Sequence, residues 1–215
     1  MPSDATLSRA ARIASSTWSD ALDRLRIAGC VQGLAWRSGR ERVAGRAVTV
    51  REEVGPLGSF RLEHFDVGAI IQAAGAGEIL VIDLGGAEVS TFGGLAAGAA
   101  INRGIAGVVV DGGCRDLEEI QQTGLAVVSR HVTPVSGKER ARVANIGERV
   151  LCGGIDVSPA DIVIADATGT VIVPAPRFGE ALDLAEQLAD VDRRFQQGLD
   201  AGQEFGALAR SLRHL

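Results

Sequence analysis

The segment Asp83–Asp116, DLGGAEVSTFGGLAAGAAINRGIAGVVVDGGCRD, decides how the rest of the chain is read. Just before it, Ile79–Ile82 is a continuous apolar run, the pattern of a strand buried on both faces. Gly85, Gly86, Gly93 and Gly94 permit tight turns and close approach of the backbone to a ligand. A helix capped by Ser90 or Thr91 is expected through Asn102, with Gly104 as its stop. Val108–Val110 reads as a second buried strand, with Asp111-Gly112-Gly113-Cys114-Arg115-Asp116 beyond its C-terminal end. Ligands in open α/β sheets gather outside the carboxyl ends of strands. Two such ends, a helix N-terminus and an Arg-Asp pair therefore form the candidate site.

Composition sets the outer limits. The 215 residues carry a net charge of −5, with 46% hydrophobic and 23% charged residues, as in a soluble globular protein with a real core. Aromatic residues are 4% and tyrosine is absent, so stacking on bases or sugars is poorly supported, and the acidic balance argues against nucleic acid as a partner. Cys30, Cys114 and Cys152 are odd in number and lack CxxC spacing, which argues against a disulfide framework or a zinc cage. The first 16 residues lack the apolar core of a secretory signal, and no run approaches the length of a membrane span. A cytoplasmic protein without a membrane partner is expected.

Outward from the central segment, residues 7–28 carry the apolar spacing of one or two amphipathic helices, broken near Ser15-Ser16-Thr17, with Thr17 or Ser19 as a cap. Residues 44–51 read as a strand and 61–74 as a helix; a short helix spans 117–123, ended by Gly124, before a strand over 125–129. Residues 132–147 are weakly patterned, and Lys138–Arg142 reads as a solvated connection. Residues 150–157 suggest one strand with a glycine bulge, and 162–173 a hairpin turning at Asp166–Gly169. Pro176 suits a first helical turn, and apolar residues from Phe178 to Phe195 recur at helical intervals. That helix either covers its own sheet or packs on another subunit, and 203–215 form a tail with a possible final helix. The fold class is α/β, a layered structure with a partly closed sheet. The expected division is a domain over 1–175 and a C-terminal helical extension over 176–215.

Arg115 supplies a planar fork that can hold a carboxylate through two hydrogen bonds, and Asp116 offers a hard oxygen ligand suited to Mg²⁺ or Mn²⁺. The competing reading is that Asp116 caps the 117–123 helix while Arg115 pairs on the surface. The free N–H groups of the helix starting near Gly93-Gly94-Leu95-Ala96 suit a carboxylate or phosphate, and the same small residues suit tight helix–sheet packing. GGAEVSTFGG is neither GxGxxG nor a P-loop. His64, His131 and His214 share no metal-ligand spacing, and Ser90 and Ser158 lack a nucleophile elbow. Cys114 reads as a small buried thiol, Asp83 as either a site-supporting or a turn residue, and Asp192 as a solvated acid on its helix.

Three blocks resemble a known family. Gly153–Pro174, GGIDVSPADIVIADATGTVIVP, Gly104–Asp116, GIAGVVVDGGCRD, and Thr17–Leu22, TWSDAL, are similar to the RraA-like family over roughly residues 15–202. That family holds 4-hydroxy-4-methyl-2-oxoglutarate aldolases, related oxaloacetate decarboxylases and regulators of ribonuclease E. The resemblance implies a swivelling β/β/α-type domain with N-terminal helices and a long C-terminal helix, assembled as homotrimers or hexamers with the site between subunits. It further implies Asp116 as the ligand of a divalent metal and Arg115 as the holder of the pyruvoyl carboxylate and enolate. The N–H groups of Leu95 and Ala96 would contact that carboxylate. Two departures stand out: Gly94 occupies a position that is usually acidic in the family's enzymes, and Asp192 stands where a Glu reaches a neighbour's site.

The function these readings imply is a class II pyruvate lyase using Mg²⁺ or Mn²⁺, acting on a small 2-keto acid such as 4-hydroxy-4-methyl-2-oxoglutarate and decarboxylating oxaloacetate. Arg115, Asp116 and Asp192 are the expected catalytic residues, with a metal-bound or ordered water as proton acceptor; Gly94, Leu95, Ala96 and Arg115 bind substrate. The single lysine, Lys138, lies in the weakly patterned connection, which argues against a Schiff base. The rival is a non-catalytic regulator that docks on a ribonuclease.

Overall fold

The buried apolar run at 79–82 and the Val108–Val110 run become adjacent strands at the centre of one mixed sheet. The computed structural model describes residues 2–212, so the expectation for His214 lies outside the described residues. In chain order the elements are α1 (Asp4–Ala10), α2 (Ser15–Arg24), β1 (Ala35–Ser38), β2 (Val43–Val54), a 3-10 turn (Leu62–His64), α3 (Val67–Ala73), β3 (Glu78–Asp83), β4 (Ser90–Phe92), α4 (Gly94–Asn102) and β5 (Gly107–Cys114). There follow α5 (Leu117–Thr123), β6 (Ala126–Val132), β7 (Ala141–Ile146), β8 (Val150–Cys152), β9 (Ile155–Val157), β10 (Ile162–Ala165), β11 (Thr170–Val173), α6 (Phe178–Asp200) and α7 (Phe205–Leu212).

The sheet runs β1-β6-β5-β3-β2-β10-β11, with β4 added to β5 and β7 to β2. Its centre, β6-β5-β3-β2, is parallel, and each parallel step crosses through a helix: α3, α4, then α5. Because side chains alternate faces along a strand, Leu80, Ile82, Val108, Val110 and Val127 face those helices, while Ile79, Val81, Val109 and Val128 face the β8–β9 hairpin. The result is the β/β/α layering that the resemblance implies. A third cluster joins α1, α2 and α6 to β10 and β11, centred on Trp18, which is fully buried and stacks on Phe178 at 5.9 Å between ring centroids. The C-terminal helix therefore covers its own sheet, through Phe178, Ala181, Leu182 and Ala185.

Several local expectations are corrected. The break between the first helices lies at residues 11–14, and α2 begins at Ser15. Neither Thr17 nor Ser19 caps it; instead Asp166 receives the Ser15 backbone N–H at 2.8 Å and its hydroxyl at 2.7 Å. This long-range cap is invisible in local sequence. Ser90 and Thr91 are strand residues, and α4 begins at Gly94 with Gly93 in the cap position and no side-chain cap. The strand expected at Val108–Val110 continues to Cys114, because Gly113 and Cys114 still pair with β6. The single strand expected at 150–157 is a hairpin turning at Gly153-Gly154, both with positive φ. The 61–74 helix is a 3-10 turn followed by a shorter α3, and the weakly patterned 132–147 segment contains β7, which pairs with β2.

Candidate functional site

Arg115 and Asp116 follow the last residue of β5, and two neighbouring backbones hold them there. The Arg115 N–H donates to Phe92 O at 2.9 Å, and the Thr133 N–H donates to Cys114 O at 2.9 Å. Asp116 has φ 53 and ψ 47, a left-handed conformation that costs energy for any residue with a Cβ. It occupies the cap position of α5 but makes no side-chain cap bond to that helix. Its Oδ2 turns to α4 instead, accepting the Gly94 N–H at 3.2 Å and lying 3.5 Å from Arg115 Nε. This geometry removes the helix-cap reading of Asp116. Both side chains remain about 40% exposed, open to a ligand.

The N-terminus of α4 points at the same place. Its first helical hydrogen bond runs from the Ala97 N–H to Gly93 O, which leaves the Leu95 and Ala96 N–H groups outside the helical ladder. Gly93 is required by the approach of the two elements: a Cβ there would lie 2.6 Å from Asp116 Oδ2. Asp116 stands at the junction of three adjoining cavities. The innermost, about 220 Å³, is lined by Thr91, Phe92, Leu95, Ala96, Arg115 and Lys138, among others. A more open one, about 460 Å³, adds Gly94, Glu119 and Gln122, and a third adds Val132, Thr133 and Pro134. Gly94, Leu95, Ala96, Arg115 and Asp116 are thus brought together. Asp192 is not among them; it lies on α6 and accepts the Thr17 hydroxyl at 3.2 Å.

Two residues beyond the expected set line this site, and a buried carboxylate lies near Thr91 of its lining. Glu119 stands one helical turn after Asp116, and a Cβ on Gly94 would meet the Glu119 Cβ at 2.7 Å. A carboxylate therefore reaches this corner from α5 rather than from α4. Glu119 is the third residue of α5, three positions after the cap residue Asp116, and that spacing is the signal that could have found it. Lys138 also lines the innermost cavity; it is exposed, as a residue of a solvated connection should be, but its local sequence pattern does not place it at this site. Glu52 on β2 is 4% exposed, and neither of its carboxylate oxygens has a hydrogen-bond partner; the Thr91 hydroxyl, which is also buried, has none either. Burial pushes the Glu52 carboxyl up to about 7, while the nearby Thr91 hydroxyl, outside hydrogen-bonding geometry, opposes the shift.

The remaining candidates have structural surroundings. Asp83 accepts the Gly85 and Leu151 N–H groups and acts as a turn residue. Cys114 is fully buried with its Sγ 3.3 Å from Ser129 Oγ, and His131 Nε2 lies 3.1 Å from Gly86 O. Among the described residues, no three His, Cys, Asp or Glu side chains converge as a metal cage, and no helix is long and apolar enough to cross a membrane.

A family model described as RraA-like (Aldolase/RraA) matches residues 15–172. The chain is 34% identical over 143 residues to the 4-hydroxy-4-methyl-2-oxoglutarate aldolase of Thermus thermophilus, covering 66% of this chain and 81% of that protein. Among solved structures it is similar to an uncharacterized protein of Pseudomonas syringae (TM-score 0.86, 24% identity, 96% and 97% of the two chains), which shows a shared fold. It is also similar to Streptomyces coelicolor RraAS2, described as an unusual member of the RNase ES inhibitor RraA protein family (TM-score 0.77, 25% identity, 89% and 97% of the two chains).

Proposed function

Because this chain belongs to the RraA-like family, we propose that the cavity at Arg115 and Asp116 is the active site of a divalent-metal-dependent pyruvate lyase. Its substrates would be 4-hydroxy-4-methyl-2-oxoglutarate-like 2-keto acids, with oxaloacetate decarboxylation as a second activity of the same site. The observation that carries this reading is the convergence of one open carboxylate, one guanidinium and one free helix N-terminus on a cavity of about 220 Å³. That volume is below the range of drug-sized pockets and suits a ligand of few heavy atoms.

The donor set fits a hard, largely hydrated cation. Asp116 is the single carboxylate lining all three adjoining cavities, and Glu119 borders one of them. One or two carboxylates with water completing the shell is the usual manner of holding Mg²⁺ or Mn²⁺, whereas a closed zinc-type site needs more protein ligands. Such an ion, when bound, supplies Lewis-acid polarisation of the 2-keto group. The chain's own residues do the rest. The Leu95 and Ala96 N–H groups hold the C1 carboxylate at the positive end of α4. Arg115 adds a fixed positive charge where negative charge develops as the C3–C4 bond breaks and pyruvate leaves as its enolate. Glu119 is positioned to orient an ordered water that takes the C4 hydroxyl proton.

A site completed by a neighbouring subunit, in a homotrimer or hexamer, belongs to the same proposal. Leu95 is 94% exposed and Val132 44% exposed beside the cavity, apolar surface that a second copy would cover. The test is pyruvate release from oxaloacetate and from 4-hydroxy-4-methyl-2-oxoglutarate with Mg²⁺, with chelator, and in Asp116→Ala. Chelator-sensitive release that Asp116→Ala abolishes is expected. Absence of release from either substrate would leave the ribonuclease-regulator reading in its place.

A further inference from the structure

The innermost cavity contains the chain's single lysine among 22 basic residues. We infer that Lys138 is the specificity-determining residue of the site, binding the second carboxylate of a dicarboxylic 2-keto acid whose C1 carboxylate is held by α4 and Arg115. This assignment rests on the lyase reading and deepens it, since it states what the far end of the substrate must carry.

The backbone brings Lys138 to the cavity. The Ser90 N–H donates to Val135 O and the Gly137 N–H to Ser90 O, both at 2.8 Å, so the 135–137 segment is laced alongside β4. Gly137 is pressed against Phe65 so closely that a Cβ there would lie 2.4 Å from its ring. On the far side, Glu139 has φ 59, and its carbonyl accepts the Gly58 and Phe60 N–H groups. The turn is sewn down on both sides, with a left-handed non-glycine residue next to the lysine, so the backbone is fixed while the Lys138 side chain stays exposed at the cavity.

The charges around the cavity are asymmetric. Its lining has Arg115 and Lys138 as cations against the single carboxylate of Asp116. Arg115 lies 3.5 Å from Asp116, and among the described residues Lys138 enters no ion pair. A monocarboxylate at the α4 N-terminus uses the helix end and Arg115 and leaves Lys138 without a counter-charge. A second carboxylate on the substrate supplies one. Phe65, Val67 and Phe92 are apolar walls and Ser90, Thr91 and Ser136 are neutral, which leaves Lys138 as the cation beside Arg115 that can read a charge at the distal end of the ligand. Lysine is a compact point charge on a flexible stem and follows a carboxylate carried on differently substituted carbons, where arginine would impose its planar fork.

The experiment uses the full chain with Mg²⁺ and compares wild type, Lys138→Met and Lys138→Arg on two kinds of substrate. One kind carries the second carboxylate: oxaloacetate and 4-hydroxy-4-methyl-2-oxoglutarate. The other, 4-hydroxy-2-oxopentanoate, has the same breakable C3–C4 bond and a hydrogen where 4-hydroxy-4-methyl-2-oxoglutarate carries that carboxylate. Lys138→Met is expected to raise KM for the dicarboxylates about tenfold to a hundredfold, the worth of one charge-assisted hydrogen bond. The loss on 4-hydroxy-2-oxopentanoate should be about tenfold smaller, and Lys138→Arg should recover most of the dicarboxylate KM. Equal losses on both substrate kinds, or no loss on either, overturn the assignment while leaving the lyase reading intact. Wild-type protein that cleaves no substrate and exchanges no C3 proton of pyruvate in D₂O removes the lyase reading, and this assignment with it.

Discussion

The Gly94 position and Glu119 share one corner of the site: a Cβ on residue 94 would sit 2.7 Å from the Glu119 Cβ. Two side chains cannot occupy it together, so an acidic residue at 94 and the present placement of α5 are alternatives. Gly94→Asp is therefore expected to lower activity instead of raising it, and to destabilise the fold by about 1–3 kcal/mol, as overpacking does. Glu119→Gln should reduce kcat about 10- to 100-fold with a smaller effect on stability, the usual cost of losing a group that orients a ligand. Steady-state kinetics and urea denaturation of both variants check this; a Gly94→Asp variant that gains activity would contradict it.

Asp116 combines the carboxylate proposed to hold the metal with a strained backbone. Asp116→Ala keeps the left-handed φ of 53 with a side chain that cannot hydrogen-bond, whereas Asp116→Gly relieves it. Both variants should lose Mg²⁺-stimulated pyruvate release, but Asp116→Gly should be the more stable by about 1 kcal/mol. Thermal denaturation of the pair reads the difference. Arg115→Lys, which keeps the charge and loses the fork, should cost about 10²- to 10³-fold in kcat if Arg115 stabilises the enolate.

Glu52 makes stability depend on pH in an unusual direction for a carboxylic acid. Burial raises its folded-state value to about 7 from 4.5, so the folded protein binds this proton more tightly than the unfolded chain does. The resulting contribution is complete below the unfolded value and is lost as pH rises through 7, at a cost of roughly 3 kcal/mol. Glu52→Gln should remove this decline. The difference between variant and wild-type urea midpoints, followed from pH 4.5 to pH 8, should favour the variant increasingly as pH rises; a flat difference would refute the burial account.

Asp166 works in the opposite sense. Although burial opposes ionisation, donors from Ser15, Thr168 and Gly169 hold its carboxyl below the usual value. Its stabilising contribution is present at neutral pH and is lost as pH falls through that depressed value. Asp166→Ala should destabilise by about 3 kcal/mol or more, since it strips a buried set of donors, and Ser15→Ala by about 1 kcal/mol. Equilibrium denaturation at pH 7 distinguishes the two.

The amino-acid sequence by itself determined the layered α/β fold, the parallel centre at 79–82 and 108–110, the long C-terminal helix, and the meeting of Arg115 and Asp116 with the α4 N-terminus. Each rests on information local to a segment: an apolar run, a helical period, a glycine turn, or a motif that resembles a family. The tertiary structure alone decided what arrives from elsewhere. Asp166 caps α2 across 151 residues, and β7 completes a sheet edge from a segment with no clear alternation. Lys138 reaches the cavity through hydrogen bonds to Ser90 and Gly58 carried by its neighbours, and Glu119 fills the corner that Gly94 leaves open. These are contacts between segments distant in sequence or set by the packing of two helices, and local pattern carries no record of which partner a polar side chain will meet.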